Sequence, residues 1–179
     1  MYTLNKSIFL VGMPASGKSK LGKAIAKYFS VPFVDLDSYI VYTQNETIDI
    51  IFEVRGETKF REIESRCLED YITSNKDNIY ICASGGGTPC FNDNINMMKE
   101  AGEIIYLKLS EERIHKRLVS SSNMHRPQWK NRSSDDVKSM VETLVLRRKP
   151  FYEQASKILT LVDNYKIDCE NLIRLIVND

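Results

Sequence analysis

No apolar run in the sequence approaches the roughly 20 residues that a membrane-spanning helix needs. There are no internal repeats and no low-complexity tracts. The four cysteines, Cys67, Cys82, Cys90 and Cys169, form no C-x-x-C pair and no metal-ligand spacing, so reduced thiols in a cytoplasmic protein are expected. Neither sign of charge is in excess: 25 Lys and Arg stand against 24 Asp and Glu, for a net charge of +1. That balance argues against a general nucleic-acid or acidic-membrane surface. The N-terminus carries one lysine and then an apolar strand, without signal-peptide architecture, and that strand is expected to belong to the fold rather than to a cleaved leader. What is present suffices for a core. Hydrophobic residues make up 42% of 179 residues, which predicts one compact domain over 1–179.

The most informative stretch is Gly12-Met13-Pro14-Ala15-Ser16-Gly17-Lys18-Ser19, which fits G-x-x-x-x-G-K-[ST], the phosphate-binding P-loop. Its context agrees. Ile8-Phe9-Leu10-Val11 before it reads as a buried strand. After it, Leu21, Ile25, Tyr28 and Phe29 fall at helical spacing and predict one apolar face. Strand, loop and helix N-terminus in that order make an anion site, because backbone N–H groups and the helix dipole both point into the loop. The motif places Lys18 on the β- and γ-phosphates of a nucleoside triphosphate and makes the Ser19 hydroxyl a Mg²⁺ ligand. Pro14, Ala15, Ser16 and Lys20 belong to the same nucleotide-binding stretch.

Strands and helices alternate along the rest of the chain. Val34–Asp37 reads as a second strand ending in two acids. Residues 38–74 turn helical, with Gly56 breaking the run, and Asn75–Asn78 is a polar turn. Ile79–Ala83 is a third strand running into Ser84-Gly85-Gly86-Gly87, and three glycines there mean that something approaches the backbone closely or that positive φ is required. Ile104–Leu109 and Ile158–Val162 are further strands, with Ser110 and Ser133 as helix N-caps and Asp136 completing a capping box. Residues 120–132 are polar, basic and aperiodic, as in a mobile loop, and Leu172–Val177 closes the chain as a helix. The pattern predicts a three-layer α/β/α fold around a five-stranded parallel sheet.

Asp35 and Asp37, spaced i, i+2 at a strand end, are expected to point to one side. Either alone reads as a helix N-cap; as a pair facing a P-loop they read as functional, orienting a hydroxyl, accepting its proton or holding Mg²⁺ through water. Arg61, Arg126 and Arg148 are far apart in sequence, and composition does not separate them from ordinary surface arginines.

A resemblance separates them. Phe33-Val34-Asp35-Leu36-Asp37 is similar to an F-x-D-x-D motif, and Gly56-Glu57 with Phe60-Arg61-Glu62-Ile63-Glu64 to G-E-x-x-F-R-x-x-E. Ala83–Gly87 matches a strand-to-triple-glycine turn, Arg126-Pro127 a lid R-P, and Arg148-Lys149-Pro150-Phe151-Tyr152 an R-x-P-L-Y segment. Together with the P-loop, these pieces in this order resemble the shikimate kinase family nearly end to end. The resemblance implies ATP-dependent, Mg²⁺-dependent phosphorylation of the shikimate 3-hydroxyl, giving shikimate 3-phosphate and ADP in aromatic amino-acid biosynthesis, by a cytoplasmic monomer. It implies that Arg61 and Arg148 clamp the substrate carboxylate, with Gly85, Gly86 and Gly87 at the same ligand. Asp37 then holds the reacting hydroxyl, and Ser19 and water-bridged Asp35 hold Mg²⁺. Lys18 and Arg126 neutralise the transferring phosphoryl, and Glu64 orients an arginine. It further implies a substrate-binding region over about 36–74 and a lid over about 119–133; Trp129, after Arg126-Pro127, is atypical of the family and reads as a lid-to-core anchor. A related kinase of another small hydroxy acid, such as gluconate, would use the same clamp. Two departures stand out. Ala15 occupies a position usually held by Gly, and the Arg often found several residues before R-P is replaced in that region by Val119 and Ser120, with Arg117 out of register.

Overall fold

The computed structural model describes residues 2–120, 129 and 132–178. Strand β1 (Ser7–Val11) is buried at every position, so both faces of the sheet are covered at its centre. Helix α1 (Lys18–Phe29) follows the loop and turns Leu21, Ile25, Ala26 and Phe29 inward, whereas Tyr28, expected on that face, is exposed. Strand β2 is Phe33–Asp35 and is followed at once by α2 (Leu36–Gln44). Helix α3 (Ile48–Ser74) is capped by Thr47 and breaks at Gly56, where φ is 76° and ψ is 170°. Its second half buries Phe60, Arg61, Ile63, Glu64, Cys67 and Leu68 along one stripe.

Strand β3 (Ile81–Ala83) is shorter than its apolar run suggests, and α4 (Asn94–Ala101) has no counterpart in the sequence pattern. Strand β4 (Gly102–Lys108) leads to α5 (Glu111–Val119), capped by Ser110. Helix α6 (Ser134–Tyr152) has the expected capping box of Ser133 and Asp136 and runs on through Pro150. Strand β5 (Lys157–Thr160) precedes α7 (Tyr165–Val177), which starts seven residues before the predicted helix because Asn164 caps it.

All five strands are parallel, in the order β2-β3-β1-β4-β5. The strands on either side of β1 are β3 and β4, so the chain leaves the centre first towards one edge and later towards the other. The carboxyl end of β1 is therefore the switch point where open α/β sheets form a ligand crevice, and the P-loop sits there. Apolar residues of all five strands join one core, which also includes the fully buried Trp129.

Candidate active site

The P-loop backbone runs through left-handed conformations at Gly12 (φ 143°), Ala15 (φ 63°) and Gly17 (φ 103°). Gly12 also has no room for a side chain: a Cβ there would lie 2.7 Å from the Leu107 carbonyl oxygen. Lys18 is buried and its Nζ donates to the carbonyls of Gly12 and Met13, each at 2.9 Å, so its charge is folded into the loop. The Ser16 hydroxyl is buried in the same loop with no hydrogen-bond partner among the described residues. Lys20 faces elsewhere, its Nζ lying 4.2 Å over the ring of Tyr165 on α7.

Asp35 and Asp37 do not share a strand face. Asp35 is the last residue of β2 and the N-cap of α2, accepting from Ser38 N at 3.3 Å, while its other oxygen accepts from the Ser19 hydroxyl. Asp37 lies in the first turn of α2, so helical rather than strand geometry directs it. The pair divides: Asp35 faces the P-loop and Asp37 faces a cleft beside it.

That cleft, of about 270 Å³, is lined by Asp37, Asp49, Arg61, Glu64, Arg148 and the three glycines, with Pro14, Ile48, Phe52 and Phe60 as its apolar wall. Pro14 belongs to the P-loop, so the anion site and the cleft share a boundary. Arg61 and Arg148, 87 positions apart in sequence, are both buried here. Arg61 Nε and Nη2 donate to Glu57 at 3.3 and 3.1 Å, and Nη1 donates to Glu64 at 2.7 Å. The rings of Phe91 and Phe60 lie 4.4 and 5.1 Å from its Cζ. Burial pulls the guanidinium's pKa down, but Glu64 and Glu57 outweigh it and the net shift is upward. For Glu64, burial pushes the carboxyl up and nearby Asp37 adds to that, against the pull of Arg61 and a hydrogen bond from Thr88.

The glycines fit because neighbours fill the space where side chains would stand. A Cβ on Gly86 would lie 2.7 Å from the Pro14 ring, and one on Gly87 2.7 Å from Arg61 Nη1 and Nη2. The Tyr152 hydroxyl, fully buried, donates to Gly86 O at 2.5 Å and so ties α6 to this turn. Arg117 reaches back from α5 to the P-loop. Its Nη1 donates to Ala15 O at 2.7 Å and its Nη2 pairs with Asp163. Arg126 and most of the expected lid lie outside the described residues.

Several contributors were not legible from the sequence. Phe52, Asp49 and Phe91 sit in ordinary helical or polar contexts. The Tyr152 contact spans 66 positions and the Arg117 contact 102, and no local pattern signals either.

Fold and site together define the class of P-loop kinases of small molecules, with a P-loop on one side and an arginine-lined cleft on the other. Comparison with known proteins narrows this class. The family model described as Shikimate kinase matches residues 14–176. A shikimate kinase from Parabacteroides distasonis is 38% identical over 168 residues, covering 90% of this chain and 95% of the relative. The crystal structure of shikimate kinase from Bacteroides thetaiotaomicron aligns with a TM-score of 0.86 at 31% identity, over 96% of this chain and 98% of that one. The shikimate kinase from Acinetobacter baumannii, solved in complex with shikimate, aligns with a TM-score of 0.87 at 26% identity, over 98% of this chain and 94% of that one. The chain belongs to the shikimate kinase family.

Proposed function

We propose that the family's reaction is carried out here by the cleft and the P-loop in a division of labour. The enzyme is a shikimate kinase: it transfers the γ-phosphoryl group of ATP to the 3-hydroxyl of shikimate, giving shikimate 3-phosphate and ADP. The observation that carries this reading is the convergence of Arg61, Arg148 and Asp37 in one cleft that shares Pro14 with the P-loop. Two buried guanidiniums suit one planar carboxylate, which each can bind bidentately. With the carboxylate held at that end, Asp37 holds the reacting hydroxyl in line with the γ-phosphoryl. A loose phosphoryl-transfer transition state needs little base catalysis, so positioning is its main contribution. Gly85, Gly86 and Gly87 let the backbone approach the same ligand.

The loop from Gly12 to Ser19, with Pro14, Ala15, Ser16 and Gly17, cradles the phosphates. Lys18 turns from its own carbonyls to the β- and γ-oxygens, and Arg126 adds positive charge at the transferring group. Lys20 completes the stretch at the helix start. Ser19 and Asp35 offer a hydroxyl and a carboxylate within hydrogen-bonding contact, a hard-oxygen pair that fits Mg²⁺. Bound there, Mg²⁺ would neutralise charge on the β- and γ-phosphates.

Residues 1–179 act as one domain in this reading, with a substrate-binding region over 36–74 and a lid over 119–133, working as a cytoplasmic monomer. No described helix is long and apolar enough to cross a membrane. The test is an acceptor screen. The protein is incubated with ATP, Mg²⁺ and shikimate, quinate or gluconate, and ADP release is followed. Shikimate should give the highest kcat/KM; no shikimate-dependent ADP, or a preference for gluconate, would reject the reading.

A further inference from the structure

Arg61 is held from two sides, and only one of them is its own helix. The chain from Gly87 to Asn94 wraps the other. Phe91 stacks on the guanidinium, and Asn92 Nδ2 donates to the Arg61 carbonyl oxygen at 3.0 Å. Thr88 Oγ1 donates to Glu64 Oε1 at 2.6 Å, and both residues are excluded from solvent. Thr88 itself is fixed by its backbone: its N–H donates to Gly85 O at 3.2 Å, and its carbonyl accepts from the buried Asn94 Nδ2 at 2.9 Å. Glu64 therefore divides its two oxygens, Oε2 on Arg61 Nη1 and Oε1 on Thr88.

Without the Thr88 hydroxyl, Oε1 would be a buried, bare anionic oxygen, which is costly. Rotation of the carboxylate onto the guanidinium would relieve it, because Arg and carboxylate pair readily through two parallel bonds. Such a pair would turn the donors of Arg61 towards Glu64 and away from the cleft. Glu57 poses no such competition. Its side chain is 60% exposed, so it can swing out into solvent and give up its place on Arg61 to a ligand carboxylate. We propose that Thr88 is a positioning residue for the acceptor: its hydroxyl limits Glu64 to one bond with Arg61 and so keeps the guanidinium aimed into the cleft. This rests on the reading of Arg61 as a carboxylate clamp.

The test compares the parent with Thr88→Val, Thr88→Ser and Arg61→Ala, measuring KM for shikimate, KM for ATP, kcat and thermal stability. Thr88→Val keeps the shape and removes the donor. It should raise the shikimate KM about tenfold, the loss of about one charge-assisted hydrogen bond, and leave the ATP KM within about twofold. Thr88→Ser should restore the shikimate KM to within about twofold of the parent. An unchanged shikimate KM in Thr88→Val, an equal rise in the ATP KM, or a failure of serine to restore would overturn the inference. Should the valine variant not fold, Thr88→Ala against Thr88→Ser reads the same hydroxyl, and equal KM values in those two would also overturn it. Arg61→Ala separates the levels. If it leaves the shikimate KM unchanged, the clamp reading itself fails. If it raises the KM while Thr88→Val does not, only the role of Thr88 fails.

Discussion

Replacing Gly87 by alanine should impair acceptor binding while leaving the fold intact. Gly87 has φ −99° and ψ −18°, a right-handed conformation that alanine adopts without strain. Its effect must therefore come through the added Cβ. That atom would stand 2.7 Å from Arg61 Nη1 and Nη2 and 2.8 Å from Cζ. Comfortable non-bonded separations are about 3.5–4.0 Å, so the guanidinium must retreat by about 0.8 Å or more. It is the far end of a flexible side chain, so the retreat costs the fold little, and loss of unfolded-state freedom at Gly87 offsets about 0.4–1 kcal/mol. The acceptor is less tolerant. A reacting group misplaced by about 1 Å can cost about 10²-fold. The expected loss in kcat/KM for shikimate is therefore about 10–100-fold, or about 1.4–2.7 kcal/mol. It should appear mainly as a higher shikimate KM, with the ATP KM unchanged. Steady-state kinetics with each substrate varied, alongside thermal unfolding, reads both halves. In an Arg61→Ala background the same substitution should have no further effect on shikimate. A Gly87→Ala enzyme with the parent's shikimate KM, or one that loses stability and activity together, would refute the argument.

Arg148→Ala should raise the shikimate KM by roughly 2–5 kcal/mol equivalent, the cost of truncating a desolvated charge pair, with a far smaller effect on the ATP KM; equal effects on the two substrates would contradict the clamp. Gly102→Ala is the opposite control to Gly87→Ala: its Cβ would lie 2.3 Å from Ser7 O, rigid backbone in the β1–β4 pairing, so thermal stability should fall while the shikimate KM of the remaining folded enzyme stays unchanged. Cys90, beside the clamp, should be slow to alkylate near neutral pH. Burial pushes its thiol up to about 11 against the pull of Arg148 and Arg61, so at pH 8 only about one part in a thousand is thiolate. Because the thiolate is the reactive form, labelling by iodoacetamide should rise about tenfold per pH unit from 7 to 10, which mass spectrometry of the Cys90 peptide can follow; labelling at pH 7.5 as fast as that of a free cysteine would contradict this burial.

The P-loop was legible because its information is local. Spacing of glycines, a strand before and a helix after are all contained in about 25 residues. Strand identity was equally legible, since buried parallel strands read as short apolar runs, although their ends depend on pairing partners that sequence does not show. Asp35 and Asp37 show where local reading fails. Period-two reasoning holds only while the strand continues, and here α2 begins with the residue between them. Helix α4 leaves little trace in the sequence for a related reason: it is short, its N-cap Asp93 sits at φ 61°, and no side chain caps it. The cleft proposed for the acceptor is assembled from α2, α3, the glycine turn and α6, so its residues converge only after folding. Resemblance selected Arg61 and Arg148 from among many arginines, but it gave no indication of Thr88 or Phe91, whose roles consist of what they touch.

Ala15 connects the two kinds of information. As a sequence feature it is only an alanine where the family usually has glycine. In the fold it stands at φ 63°, a left-handed conformation that costs an L-residue with a Cβ roughly 1–2 kcal/mol. Strain of this size persists only where the surroundings over-determine the backbone. Here they do. The Ala15 carbonyl accepts from Arg117, which is anchored in turn by Asp163, and Ser16 N closes the turn onto Met13 O at 3.2 Å. An arginine outside the expected lid register thus supports the one P-loop position where glycine has been lost. The departure in the loop and the departure in the lid region, independent when read along the chain, meet at a single hydrogen bond in the structure.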